Sequence, residues 1–259
     1  MADAPKWTTR TVEVAGIKLH VARAGKGAPL LVLHHDIGTL DKLALYDTLT
    51  MSHDVIVPHF AGFGKSPRPE WMRSVRDVAA MNQMLLAELG IEKPNLLGLG
   101  FGGWVAAEMA TMAPIATAKL AVVGPFGIKP NEGYILDQAI ISYIDYPQAF
   151  FHDPKAFTAN YGDVSTDQLE AWDIAREMCF RIAWKPYMYS QTLPHLLASM
   201  PAPTLIVWGE HDKVISRATA NQWKSALPNA RVEIVKGAGH AIDMEKPAEL
   251  AKLLAAFLK

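Results

Sequence analysis

Two kinds of hydrophobic pattern alternate along the chain. Thr9 to Val14 and Ile17 to Ala24 switch between polar and apolar residues on either side of Ala15-Gly16, the pattern of an antiparallel hairpin with one wet face. Pro29-Leu30-Leu31-Val32-Leu33, Asp54-Val55-Ile56-Val57-Pro58 and Asn95-Leu96-Leu97-Gly98-Leu99 are short, nearly continuous apolar runs, as strands buried on both faces require. Lys119 to Val123, Thr204 to Trp208 and Arg231 to Val235 continue that series. Helical spacing fills the intervals at Leu40 to Leu49, at Ser74 to Leu89 before Gly90, and from about Ser216 to Leu227. A closing helix runs from near Pro247, where proline suits a first turn, to Leu258. Strands alternating with helices predict an α/β fold with a mostly parallel, doubly wound sheet and a ligand crevice at the carboxyl ends of its strands.

The stretch from Pro125 to Met200 departs from this rhythm. It has no convincing strand, yet its 76 residues hold 13 of the 23 aromatics in the 259-residue chain, about twice their share by length. It reads as a helical cap over the crevice, dividing the chain into core (1–124), cap (125–200) and core (201–259). Packing among the cap's own helices accounts for part of the excess. Phe126, Tyr143 and Trp184 in the cap, and Trp104 beneath it, are candidate substrate contacts, and a pocket so lined suits a small apolar or aromatic ligand.

Composition narrows the partners. A formal charge of −1 with no dense basic run argues against nucleic acid and acidic membrane surfaces. The lone cysteine, Cys179 between Met178 and Phe180, excludes an intrachain disulfide and reads as a packed thiol in a reducing compartment. Met1 to Lys6 lack the apolar core of a signal peptide, and no apolar run reaches the roughly 20 residues of a membrane span. The expectation is a cytoplasmic protein with a small-molecule ligand and no membrane partner.

The chemistry concentrates where the third apolar run ends. Gly98-Leu99-Gly100-Phe101-Gly102-Gly103 places four glycines in six positions between a strand and the helix formers Trp104 to Ala110, a bend too tight for a Cβ at several points. This stretch resembles the nucleophile elbow of the α/β-hydrolases, G-x-S-x-G, and with it nearly the whole chain resembles that family, including a cap inserted after the strand at Val123. Gly62-Phe63-Gly64-Lys65-Ser66 is similar to the family's structural G-x-G-x-S turn. Trp208-Gly209-Glu210-His211-Asp212 resembles the stretch carrying the family's catalytic acid, and Gly237-Ala238-Gly239-His240 the segment delivering its histidine. The resemblance implies the order nucleophile, acid, base for Gly100, Asp212 and His240. Gly100, however, has no side chain with which to attack a carbonyl.

The oxyanion side departs as well. Where the family has H-G-x-G, this chain has His34-His35-Asp36-Ile37-Gly38. By analogy the backbone N–H groups of Asp36 and Phe101 form the hole, with His35 beside them in a polar pocket, but an ionised Asp36 opposes a developing oxyanion. Pairing of Asp36 with a protonated crevice histidine is the expected remedy. His34 and His35, as neighbours on an extended chain, cannot both face the crevice. The spacing of His34, His35, Asp36, His59 and His240 matches no metal motif, so neither metal nor cofactor is expected. Three readings stay open: an enzyme in which His240, supported by Asp212, acts as general base on water or substrate; a silent ligand-binding or sensing protein; and a serine hydrolase inactivated by substitution at position 100.

Overall fold

The computed structural model describes residues 5–40 and 43–259. β1 (Thr8–Val14) and β2 (Ile17–Gly25) form the expected hairpin, with Val14 opposite Ile17. β3 (Ala28–Leu33), β4 (His53–Pro58), β5 (Asn95–Leu99), β6 (Leu120–Val123), β7 (Thr204–Gly209) and β8 (Ala230–Val235) complete one eight-stranded sheet in the order β1-β2-β4-β3-β5-β6-β7-β8. β2 pairs antiparallel with β1 and β4, and all the remaining pairs are parallel. The unbroken apolar runs have the predicted cause: β5, β6 and β7 are buried at every residue, while β8 at the sheet edge is mostly half-exposed.

The core helices are α1 (Ala44–Leu49), α2 (Val75–Glu88), α3 (Phe101–Met112), α8 (Thr219–Ala226), α9 (Ile242–Glu245) and α10 (Pro247–Leu258). α1 begins later than the pattern from Leu40 implied; Asp41 and Lys42 of that stretch lie outside the described residues, as do Met1 to Ala4. Ser74 caps α2 by accepting from the Asp77 amide while the Asp77 carboxylate accepts from the Ser74 amide, a reciprocal cap. α9, a single turn after His240, was not anticipated.

Between β6 and β7 lie α4 (Asp145–Ala149), α5 (Pro154–Tyr161), α6 (Thr166–Ala183) and α7 (Leu193–Leu197). Among the described residues this segment forms no strand, only single bridges from Gly127 to Tyr189 and from Ile135 to Ile215. α6 buries Trp172, Ala175, Met178, Cys179 and Ile182 along one stripe. Burial pushes the Cys179 thiol well above its ordinary pKa, as expected of a packed, unreactive cysteine.

Strand order reverses at β3, which has β4 on one side and β5 on the other, so a crevice opens at their carboxyl ends. α3 can descend onto that point because a Cβ on Gly98 would run into the backbone of Gly102 and Gly103. No described helix is long and apolar enough to cross a membrane.

Candidate active site

Four strand ends supply the site: β3 leads into His34-His35-Asp36, β5 into Gly100, β7 into Asp212, and β8 into the loop carrying His240. Gly100 is the only residue between β5 and α3. Its φ of +52° and ψ of −112° make the sharp turn, held by its amide donating to Val123 O at 2.8 Å and its carbonyl accepting from Phe126 N at 3.2 Å.

Asp212 and His240 meet as the sequence order implied. His240 Nδ1 and Asp212 Oδ2 are 2.8 Å apart, and both side chains are fully buried. The other carboxylate oxygen, Oδ1, accepts from the amides of Val214 at 2.8 Å and Ile215 at 2.9 Å, so the acid is anchored before it meets the ring. A carboxylate can only accept, which places the proton on His240 Nδ1 and turns the lone pair of Nε2 outward. Burial disfavours the charged ring, but Asp212, with Asp36 and Asp243 farther off, more than offsets this, and the His240 pKa is raised above 6.5.

Among the described residues His240 Nε2 has no hydrogen-bond partner, and it points at Gly100. A Cβ built on Gly100 would lie 2.8 Å from His240 Nε2 and only 2.5 Å from His35 Nδ1. The space beside Gly100 is therefore narrow, because the His35 imidazole leans into it. His35 is in turn held by Asp243, with Nε2 2.9 Å from Oδ1 and both side chains at most 2% exposed. Its Nδ1, like His240 Nε2, is buried without a partner. Buried acceptors left unpaired cost about 1–3 kcal/mol each.

His34 turns away, as adjacency required. Its Nε2 accepts from Phe60 N at 3.0 Å and its ring lies 3.9 Å from that of Phe60. Burial, helped by the neighbouring histidines and resisted by its bond to His35 O, lowers its pKa to about 3, so it stays neutral. His59 accepts from Lys65 N at 3.0 Å and secures the Gly62–Ser66 turn. His211 is exposed and stacks on His152 at 3.9 Å.

The expected pairing of Asp36 with a histidine is not found. Both crevice histidines already have carboxylate partners, and Asp36 Oδ2 instead accepts from Tyr146 Oη at 2.7 Å and Gln138 Nε2 at 3.0 Å, while Oδ1 is unpartnered. Burial raises the Asp36 pKa, with Tyr146 and the two histidines pulling against it. A cavity of about 10 Å³, enough for one water, lies beside Asp36, Gln138, Tyr143 and Tyr146.

Of the aromatic candidates, Phe126 faces His240 at 5.6 Å and Tyr143 borders that cavity. Trp104 packs on Phe101 and bonds Glu108. Trp184 is half exposed against Phe180 and Tyr187, so it does not line the buried centre. The ring that covers the centre is Phe150, 4.7 Å from His240 and 5.4 Å from His35. Phe150, Tyr146, Gln138 and Asp243 escaped the sequence reading. Only Asp243, an acid three residues after the histidine, left a local signal.

The strand order, the elbow and the Asp212–His240 geometry define an α/β-hydrolase, and comparison with known proteins agrees. Residues 29–253 match the model of the alpha/beta hydrolase family, and the chain belongs to that family. It is 27% identical to the AB hydrolase superfamily protein YfhM of Bacillus subtilis, over 96% of each chain. It is also 24% identical to the 2-hydroxymuconate semialdehyde hydrolase of a Pseudomonas species, over 96% of this chain and 93% of that one. Among solved structures, the 2-hydroxy-6-oxo-6-phenylhexa-2,4-dienoate hydrolase of a Rhodococcus species superposes with a TM-score of 0.80 at 19% identity, covering 98% of this chain and 100% of that one. The likeness to that structure is one of fold.

Proposed function

We propose that this chain is an enzyme acting on a small apolar or aromatic substrate without a serine nucleophile, with His240 as general base and Asp212 as its orienting acid. The observation that carries the reading is the 2.8 Å Asp212–His240 contact, with Nε2 left unpartnered and turned toward Gly100. A buried imidazole with a fixed tautomer and a free lone pair can take a proton from water or from an acidic substrate, a contribution of about 10²–10⁴-fold in rate. With no hydroxyl at position 100, water reaches the substrate directly and no acyl-enzyme forms. Residues 125–200 serve as the cap: Phe126 and Phe150 form an apolar roof over the base, and Tyr146 and Gln138 reach down to Asp36. The curated relative named as a semialdehyde hydrolase is consistent with a small-molecule substrate.

p-Nitrophenyl acetate turnover tests this. The expected result is slow, burst-free nitrophenolate release with no acetylated protein by mass spectrometry, reduced about 100-fold or more in His240→Ala. Release no faster than the buffer rate, or equal rates in wild type and variant, would favour a second reading, a silent ligand-binding protein. That reading draws on the full burial of His35, Asp36 and His240 and on the small size of the adjoining cavity.

A further inference from the structure

Two carboxylate–imidazole pairs converge on one point. Asp212 holds His240 from the β7 side, and Asp243, in α9, holds His35 from the other. In each ring the nitrogen facing the carboxylate carries the proton, so His240 Nε2 and His35 Nδ1 both present lone pairs, 2.8 and 2.5 Å from the same position at Gly100. The two ring centroids are 5.4 Å apart, and among the described residues neither nitrogen has a hydrogen-bond partner. Two such acceptors are satisfied together by a donor group or a water lying between them, which can also carry a proton from one to the other.

We infer that His35 and Asp243 form a second catalytic pair that shares one exchangeable proton with His240, so that one ring works as base while the other works as acid on the same substrate. The inference rests on the reading of His240 as general base and adds the acid which that reading lacks. In ester hydrolysis, neutral His240 takes a proton from water as the water oxygen bonds to the acyl carbon and the carbonyl electron pair moves to oxygen. As that pair returns, the bond to the leaving oxygen breaks, and protonated His35 gives its Nδ1 proton to that oxygen. Water's hydroxyl ends in the acid and a proton in the alcohol. The enzyme is left with His240 protonated and His35 neutral, and transfer of the proton through a water between the two nitrogens resets it. The reacting group that fits is one with a poor leaving oxygen or nitrogen, for which protonation matters, set in a compact apolar molecule that Phe126 and Phe150 can cover.

The charged and titratable groups around the pair are Asp36 after β3, Asp212 after β7 and Asp243 in α9, with the Tyr146 hydroxyl on Asp36 and Tyr46 and Tyr161 beside Asp243. The three carboxylates favour retention of a proton on His240 against the cost of its burial. Nitrogen-15 NMR of the imidazoles in the intact protein, between about pH 5 and 9, reads the shared proton without any substrate. The expected result is that both rings respond in each of two coupled steps, and that His35→Gln leaves His240 a single step at a displaced pH. Asp243→Asn, which keeps the size of the side chain, should uncouple the two rings as well. With ethyl acetate, a compact ester whose leaving oxygen needs a proton, wild type should give a bell-shaped kcat profile, and either variant should lose one limb and about 100-fold in kcat at the optimum. Rings that titrate independently, with the bell intact in His35→Gln and Asp243→Asn, would overturn the second pair while leaving His240 as base. Full activity in His240→Ala would instead remove the base reading, and the NMR coupling would then be judged alone.

Discussion

The two halves of this centre are built in opposite ways. The Asp212–His240 half hangs from consecutive strand ends of the sheet, with partners 28 residues apart in the chain and the acid pinned by two backbone amides. The half facing it joins His35 to Asp243 across 208 residues, and Asp36 to Gln138 and Tyr146 across 102 and 110. One half is a property of the fold; the other depends on the insertion and the final helices closing over it. The difference teaches that position 100 and His35 constrain one another across the two halves, because a Cβ at Gly100 would lie 2.5 Å from His35 Nδ1.

Phe150→Ala should break the contrast most severely. Removing this fully buried ring should cost about 3–5 kcal/mol in denaturant unfolding and loosen the insertion-side contacts, while the Asp212–His240 contact persists. A loss below 1 kcal/mol would mean that the insertion packs on the core through other residues.

Gly100→Ser comes next. Its Cβ meets both imidazoles at a positive φ, so an overpacking cost of about 1–3 kcal/mol is expected, with no acyl-enzyme formed. Adding His35→Gly should recover most of that stability and allow acetylation by p-nitrophenyl acetate. Should Gly100→Ser alone become acylated at no cost in stability, His35 does not constrain position 100.

Tyr146→Phe removes a 2.7 Å donor from Asp36 and should cost about 1 kcal/mol, measured by urea unfolding near neutral pH. The smallest effect is a change in the shape of stability against pH. The His240 pKa is raised above its unfolded 6.5, so its contribution is whole below that pH and drains away as pH rises through the folded value. Asp36 is also raised, above 3.8, and likewise favours the folded state less as pH climbs through its own window. Melting temperature should therefore fall on the alkaline side, and Asp212→Asn should flatten that fall. A melting temperature that rises from pH 6 to pH 8 would contradict the His240 shift.

The sheet, α2 and the elbow were legible because each follows from local spacing: apolar runs, a helical period, glycines at a bend. Asp212 and His240 were legible because the stretches that carry them resemble the family's acid and histidine segments, and both follow strand ends. Asp36 was misread because pairing between distant side chains has no period in the sequence, and the histidines offered to it were already engaged elsewhere. Trp184 was misplaced for a related reason. Aromatic content marks a region that packs, but which ring turns inward depends on how α6 lies, and there the inward stripe runs through Trp172 and Met178 instead.

The backbone around Phe150 carries a consequence for coupling. Its carbonyl accepts from the Ala241 amide at 2.9 Å, one residue past His240, and the Glu245 carboxylate ties the amides of His152 and Asp153 to that of Gly239. The shelf that bears the covering ring and the strap that bears the imidazole are thus stitched together, and a push on one is passed to the other.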